Sequence, residues 1–324
     1  MNILRVGDPH IKVSNLEESE RLMNYINECI EKYHPDSLEF LGDLFHTHAV
    51  IRVEVLEFWN KWLRKFAKIV PTKAIVGNHD QTGDFHSTEH ALNVFKDIPN
   101  LMIIDKPTAT GIYGYLPYIH NNEEFIKQCE ELKSFGVKVL VCHATFDGSV
   151  FESGTPAPFG IDLNLAPFDI IISGHIHRRQ ILGNGKVLYP GTPRWDTVSD
   201  ANEEKGIWLF KHDDITGKIL ETGFLDTKNV CVQILSLSWK EGDEMPSLPD
   251  KVRIYLELIG SSSWIEKQKK VLKHKVSLKT TITDHKDFTH RQIIGGFTEF
   301  LLHTFVTNFD RQKLLNRAKE ISIV

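Results

Sequence analysis

Short apolar runs recur along the first two thirds of the chain: Ile3-Leu4-Arg5-Val6, Leu38-Glu39-Phe40-Leu41, Ala74-Ile75-Val76, Val139-Leu140-Val141 and Ile170-Ile171-Ile172-Ser173. Runs this short and continuous suit strands buried on both faces, as in parallel sheets covered by helices. Between them the apolar period changes to that of a helix. Leu16, Leu22, Met23, Ile26 and Ile30 predict a helix over 16–33, ended by His34-Pro35-Asp36. Val53, Leu56, Trp59, Leu63 and Phe66 predict a second over 50–66, and 87–95 and 123–135 are further helix candidates. Residues 146–159, rich in Gly, Ser and Pro, predict a long surface loop. Strand-like runs return at 206–210 and 219–222. The alternation predicts a layered α/β domain over 1–227.

The pattern then shifts. Apolar runs at 230–239, 252–259, 264–272 and 276–282 predict strands interrupted by one helix, a small α+β unit over 228–285. Pro246-Ser247-Leu248-Pro249 marks a connecting turn within it. Beyond it Ile293, Ile294, Phe297, Leu301 and Phe305 fall at helical spacing, and Leu314, Leu315, Ala318 and Ile321 suit a second short helix. Residues 286–324 therefore read as a helical tail, whose apolar face is either core or the docking face for a partner's groove.

Composition narrows the class. With 41% apolar and 25% charged residues the 324-residue chain resembles an ordinary soluble protein. A net charge of −5 argues against a wholly basic surface, but bound cations can reverse the sign where nucleic acid touches. Cys29, Cys129, Cys142 and Cys231 are scattered without a C-x-x-C pair, which predicts reduced thiols and no structural zinc. No apolar run reaches membrane-spanning length and the amino end enters a strand directly. A cytoplasmic protein without a membrane partner is expected.

The chemistry lies where the apolar runs end. They lead into Asp8-Pro9-His10, Gly42-Asp43-Leu44-Phe45-His46, Gly77-Asn78-His79-Asp80, Cys142-His143-Ala144 and Gly174-His175-Ile176-His177. Parallel sheets place their sites at such carboxyl ends. Taken singly, each segment is an ordinary polar turn. Together they can surround two divalent cations, and an Asp, Asn and His donor set leans toward Mn²⁺, Fe²⁺ or Zn²⁺ rather than Mg²⁺ alone. Two such ions, roughly 3.5–4 Å apart and sharing a carboxylate, clamp an in-line displacement at phosphorus. A histidine beside them but not bound to them suits assistance to the leaving oxygen.

These five segments, in this order, resemble the calcineurin-like metallophosphoesterases over residues 1 to about 195. The resemblance implies a four-layer sandwich of two β-sheets flanked by helices. It implies that Asp8, His10 and His177 hold one metal, that Asn78, His143 and His175 hold the other, and that Asp43 bridges them. His79 would contact the phosphate and Asp80 would orient His79. Gly42-Asp43-Leu44-Phe45-His46 departs from the Gly-Asp-x-Val-Asp-Arg-Gly run of the family's protein phosphatases and looks like the SbcD nucleases, with their archaeal, eukaryotic and phage relatives. So do Gly174-His175-Ile176-His177-Arg178-Arg179-Gln180 and Tyr189-Pro190-Gly191-Thr192-Pro193.

That branch implies a nuclease using two Mn²⁺, with Mg²⁺ as substitute, which cuts DNA in recombination, repair and replication. His46 would seat DNA for exonuclease cutting, and Arg178 and Arg179 are candidate backbone contacts. The small unit would cap DNA, and the tail would dock on the coiled coil of an SbcC-type ABC ATPase. A homodimer within a heterotetramer is implied, with Trp59 or Leu63 at the dimer interface, in the host cytoplasm if the chain is phage-encoded. The competing readings are a small-molecule phosphodiesterase or phosphatase, and a scaffold that has lost its chemistry. The scaffold should lack ligands, whereas here every ligand position is filled.

Overall fold

Strands that are apolar on both faces need cover on both faces, and the fold supplies it. The computed structural model describes residues 1–48, 50–82, 89–272 and 276–283. They fall into two compact units: Met1–Ser236 with Leu248–Tyr255, and Leu237–Ser247 with the described residues from Leu256 onward.

The first unit is built on two six-stranded sheets. In one, β1 (Asn2–Val6), β2 (Ser37–Phe40), β3 (Thr72–Ile75) and β4 (Leu101–Ile104) run parallel. In the other, β6 (Tyr113–Leu116), β7 (Val139–His143), β8 (Ile170–Gly174) and β10 (Val187–Tyr189) do the same. Antiparallel strands close the edges: β5 (Thr108–Thr110) and β9 (Gln180–Leu182) on the second sheet, β11 (Gly206–His212) and β12 (Ile219–Asp226) on the first.

Three apolar clusters make the layers. Ile3, Leu41, Ile75, Tyr113, Val139 and Ile172 pack between the two sheets. Helices α1 (Leu16–Tyr33) and α2 (Val53–Ala67) cover the first sheet, with Leu22, Ile26, Trp59 and Phe66 against Leu38 and Phe40. Helix α3 (Asn122–Ser134) covers the second, with Phe125, Cys129 and Leu132 against Leu140 and Ile171. The four-layer sandwich is present.

One charge cluster interrupts the layer between the sheets. The Glu39 carboxylate accepts from Arg5 Nε (2.9 Å), Lys73 Nζ (3.1 Å) and Tyr115 Oη (2.6 Å). Burial pushes its acidity one way, but Arg5 and Lys73 win and hold the carboxyl down to about 2. The Glu in an otherwise apolar strand is thus partnered, as buried charges must be.

Differences from the expected elements are local. Helix α1 keeps its bounds, and His34 closes it in the left-handed region (φ 44°), its N–H donating to the Ile30 carbonyl (2.9 Å). Of the helix expected at 87–95, the described part is a 3-10 turn, Ala91–Phe95. Trp59 and Leu63 are not interface residues. Both are 0% exposed, and the Trp59 indole donates to the Leu44 carbonyl (3.1 Å), because the apolar stripe of α2 is spent on the sheet. All four cysteines are buried and free.

A three-stranded sheet is formed by β13 (Ile234–Lys240), β14 (Arg253–Gly260) and β15 (Ser277–Ile282), and the first residues of β13 and β14 belong to the first unit. In the second unit helix α4 (Ser262–Leu272) buries Ile265 and Leu272, and Leu256 and Leu258 of β14 are buried on one strand face. The tail expected at 286–324 lies outside the described residues. Among the described residues, no helix is long and apolar enough to cross a membrane.

Candidate metal centre

The carboxyl ends of parallel strands β1, β2, β3, β7 and β8 deliver the five segments to one place, with the first sheet providing Asp8, His10, Asp43, His46, Asn78 and His79 and the second His143, His175 and His177. The turns that do this are tight. A side chain at Gly77 would put its Cβ 2.2 Å from Asp43 Oδ1, and one at Gly42 would sit 2.2 Å from His143 Nδ1. His10 (φ 46°), Asp43 (φ 49°) and His175 (φ 81°) hold left-handed backbone, a strain typical of functional sites.

The donor atoms converge in two groups that share Asp43. Its carboxylate lies 3.6 Å from His10 Nε2 and 3.4 Å from His143 Nε2. His10 Nε2 and His177 Nε2 are 2.9 Å apart. On the other side Asn78 Oδ1 is 2.9 Å from His143 Nε2 and 2.8 Å from His175 Nδ1. Asp43 with His10 and His79, and Asp43 with His143 and His175, each offer donor atoms within 4.8 Å of one another.

Protein partners fix which nitrogen faces inward. A carbonyl can only accept, so His143 Nδ1 donates to Leu41 O (2.8 Å) and leaves Nε2 for the centre. His79 Nδ1 donates likewise to the His46 carbonyl (2.7 Å), freeing its Nε2, while the His79 backbone N–H binds Asp43 Oδ1 (2.8 Å). His177 Nδ1 meets Glu152 Oε1 at 2.9 Å.

The buried charge is unbalanced in a way that suits cations. Asp8, Asp43 and Asp80 are each 1% exposed, and Asp8 Oδ2 has no hydrogen-bond partner. Burial raises the Asp8 carboxyl above its usual range, and burial with Asp43 pushes Asp80 up to about 8. Asp43 itself is held well below the usual range, since His143 and His10 overcome its burial. His143 rises to about 9 against its own burial because Asp43 and Asp8 face it, whereas burial and His143 push His175 down to about 3. Crowded carboxylates, an orphaned acceptor and converging imidazoles fit divalent cations.

Two expected site groups have protein partners of their own. The hydrogen bonds of the Asp80 carboxyl go to backbone donors rather than to the His79 ring. Its Oδ1 accepts from Phe45 N and its Oδ2 from Gly77 N, both at 3.0 Å, so it ties the loop after β2 to the loop after β3. The His46 carbonyl orients His79 instead. Arg178 Nε pairs with Glu203 (3.2 Å), and Arg179 pairs with Glu204 with its guanidinium 4.5 Å over the Phe224 ring. Both are engaged by the protein itself, a consequence of acidic residues some 25 positions downstream that the local motif does not show.

The sequence reading also missed three neighbours. Glu152 sits on the 146–159 loop. The His48 ring stacks on His79 at 4.1 Å, with its Nδ1 on the Asn78 carbonyl (2.9 Å). The Tyr118 ring lies 5.6 Å from His175. Only His48, two residues past His46, carried a positional hint.

Comparison with known proteins gives the family. The family described as Calcineurin-like phosphoesterase matches residues 1–179. A protein of Invertebrate iridescent virus 6 named as phosphoesterase 244L is 28% identical over 253 residues, 72% of this chain and 87% of that one. Exonuclease subunit 1 of Enterobacteria phage T4 is 27% identical over 226 residues, 65% of this chain and 64% of that one. The SbcD component of the SbcCD nuclease of Staphylococcus epidermidis is 22% identical, with 97% of this chain and 95% of that one covered. Among solved structures, Yfce, a phosphoesterase from E. coli, covers 69% of this chain and 99% of its own at 14% identity and a TM-score of 0.30.

Proposed function

We propose that this chain, which belongs to the calcineurin-like phosphoesterase family, is the Mn²⁺-dependent DNA nuclease component of an SbcCD-type complex. The place of His46 carries the reading. It follows Asp43 by three residues, its carbonyl holds the His79 ring, and its own ring lies 6.0 Å from His79 and 5.5 Å from His10. A side chain there meets the strand being cut without belonging to the metal donors. Similarity along nearly the whole length to an SbcCD nuclease component, and to a phage exonuclease component over two thirds of the chain, supports the same reading.

In it Asp8, His10 and His177 would hold one cation and Asn78, His143 and His175 the other, with Asp43 contributing to both. When bound, the cations supply Lewis acidity at the phosphoryl oxygens and a water acidified toward neutral pH. The protein's own part is positional. The His79 Nδ1–H is held by the His46 carbonyl, which leaves Nε2 as the atom through which the ring would pass a proton to a leaving oxygen. His46 seats the DNA. Asp80 keeps the His46 and His79 loops in register. Residues 228–285 cap the DNA, and residues 286–324 dock on the coiled coil of an SbcC-type ATPase, whose grip compensates for this chain's acidity.

Labelled DNA with Mn²⁺ or Mg²⁺ tests the reading. Wild type should cut double-stranded ends and single strands, and His79→Ala and Asp8→Ala should not. His46→Ala should lose double-strand exonuclease activity more than single-strand endonuclease activity. No cutting under Mn²⁺, beside brisk hydrolysis of a nucleotide ester, would make the chain a small-molecule phosphodiesterase instead.

A further inference from the structure

The imidazoles at the centre differ in what stands behind them. His79 Nδ1 leans on a neutral carbonyl and His143 Nδ1 on the Leu41 carbonyl, with the donor residue Asp8 at 3.3 Å, whereas His177 Nδ1 is backed by a carboxylate from outside the expected donor set. That carboxylate, Glu152, lies twenty-five positions before its partner on a different segment, and its side chain is only 15% exposed.

The loop presenting it is braced. Its two ends are joined by Ile161 N to Thr145 O (2.9 Å) and Asp147 N to Ile161 O (3.0 Å). Within it Ala157 N donates to Ser149 O and Phe151 N to Thr155 O. The buried Tyr189 hydroxyl accepts from Phe146 N (2.9 Å). The decisive clamp is Gln180, three residues past His177. Its Oε1 accepts from Val150 N (2.9 Å) and its Nε2 donates to Val150 O (2.7 Å). The segment carrying His177 thus grips the loop carrying Glu152 two residues from the carboxylate itself.

We propose that Glu152 is a positioning residue for the cation site of Asp8, His10 and His177, and that it makes that site the tighter of the two. The inference rests on the metal-centre reading given above. Holding Nδ1–H, Glu152 fixes the His177 tautomer and aims Nε2 at His10 Nε2. Asp8 Oδ1 faces both sites, lying 3.3 Å from His143 Nδ1 and accepting from His175 N (2.9 Å), so the asymmetry is the charge of Glu152 behind His177 against the neutral Asn78 beside His143 and His175. Loss of such a partner lowers metal affinity by about 10–100-fold.

The test is Mn²⁺ binding to the full-length protein, followed by calorimetry and by the electron paramagnetic resonance of free Mn²⁺, without substrate. Wild type should show two classes of site. Glu152→Ala should weaken the tighter class by about 10–100-fold and leave the weaker class within about twofold. Glu152→Gln keeps an acceptor oxygen for Nδ1–H but no charge, and should fall between them. It also serves if Glu152→Ala does not fold. Unchanged affinity of both classes in a folded variant, or equal weakening of both, overturns the proposal. Wild-type protein that takes up no Mn²⁺ overturns the metal-centre reading first, and the proposal with it.

Discussion

Replacing Asp80 separates two accounts of the same residue. Its carboxylate is 1% exposed and satisfies two buried backbone donors, Phe45 N and Gly77 N, each at 3.0 Å. A buried donor left without a partner costs about 1–3 kcal/mol, so Asp80→Ala should lose about 2–6 kcal/mol. Asp80→Asn keeps one acceptor and turns its amide toward the other donor, costing roughly half as much. At about 2–4 °C per kcal/mol for a domain of comparable size, Tm should fall by roughly 5–20 °C for the alanine variant and roughly 3–10 °C for asparagine. Melting followed by circular dichroism, in chelator so that metal uptake does not mask the loss, reads this directly. Hydrolysis of a small aryl phosphodiester should fall in parallel, because the clamp sets the relative place of His46 and His79. An Asp80→Asn protein that melts like wild type yet loses kcat a hundredfold would refute the clamp and restore the idea that Asp80 steers the His79 ring.

Further outcomes follow from the same geometry. Glu39 ordinarily titrates near 4.5 and is held at about 2 in the fold, so its stabilisation is complete above pH 4.5 and drains away as pH falls toward 2. The difference is worth on the order of 3 kcal/mol. Urea unfolding between pH 2.5 and 6 should show a slope that Glu39→Gln removes, and an identical slope in the variant would assign the acid sensitivity elsewhere. His79→Ala should cut hydrolysis by about 10²–10⁴-fold with Mn²⁺ uptake intact. Lost uptake would make His79 a ligand, as its closeness to His10 and Asp43 permits. Trp59→Ala should destabilise by about 3–5 kcal/mol, and sedimentation should show the wild-type oligomeric state in the folded fraction. A dimer that becomes a well-folded monomer would return Trp59 to an interface. Deleting residues from Asp287 onward should abolish co-purification with a coiled-coil ATPase and spare Mn²⁺-dependent cutting of single strands, whereas full ATPase retention would remove the tail from that role.

How much of this was legible depended on how local each signal is. Buried parallel strands are written as continuous apolar runs, so those before Asp8, Asp43, Asn78, His143 and His175 could be read from residue type alone. Helix α1 was equally plain, its apolar stripe and its stop at His34 both lying within one segment. Strands β4, β5, β6, β9 and β10 were not legible. They are three or four residues long, too short for a period to show. Helix α2 was read correctly as a helix, but its stripe of Trp59, Leu63 and Phe66 did not tell sheet from partner, since an apolar face suits either.

The sequence alone determined the chemical identity of the centre: which side chains gather, that they end strands, and that they suit two cations and a phosphoester. The tertiary structure decided what each donor leans on. Glu152 behind His177, the His46 carbonyl behind His79, Asp80 across two loops, and Arg178 and Arg179 drawn to Glu203 and Glu204 are contacts between segments apart in the chain. A strand's pattern records only burial, and a motif only its own few residues. Hydrogen bonds between distant loops leave no period and no spacing, so they become visible only once the two sheets bring their carboxyl ends together.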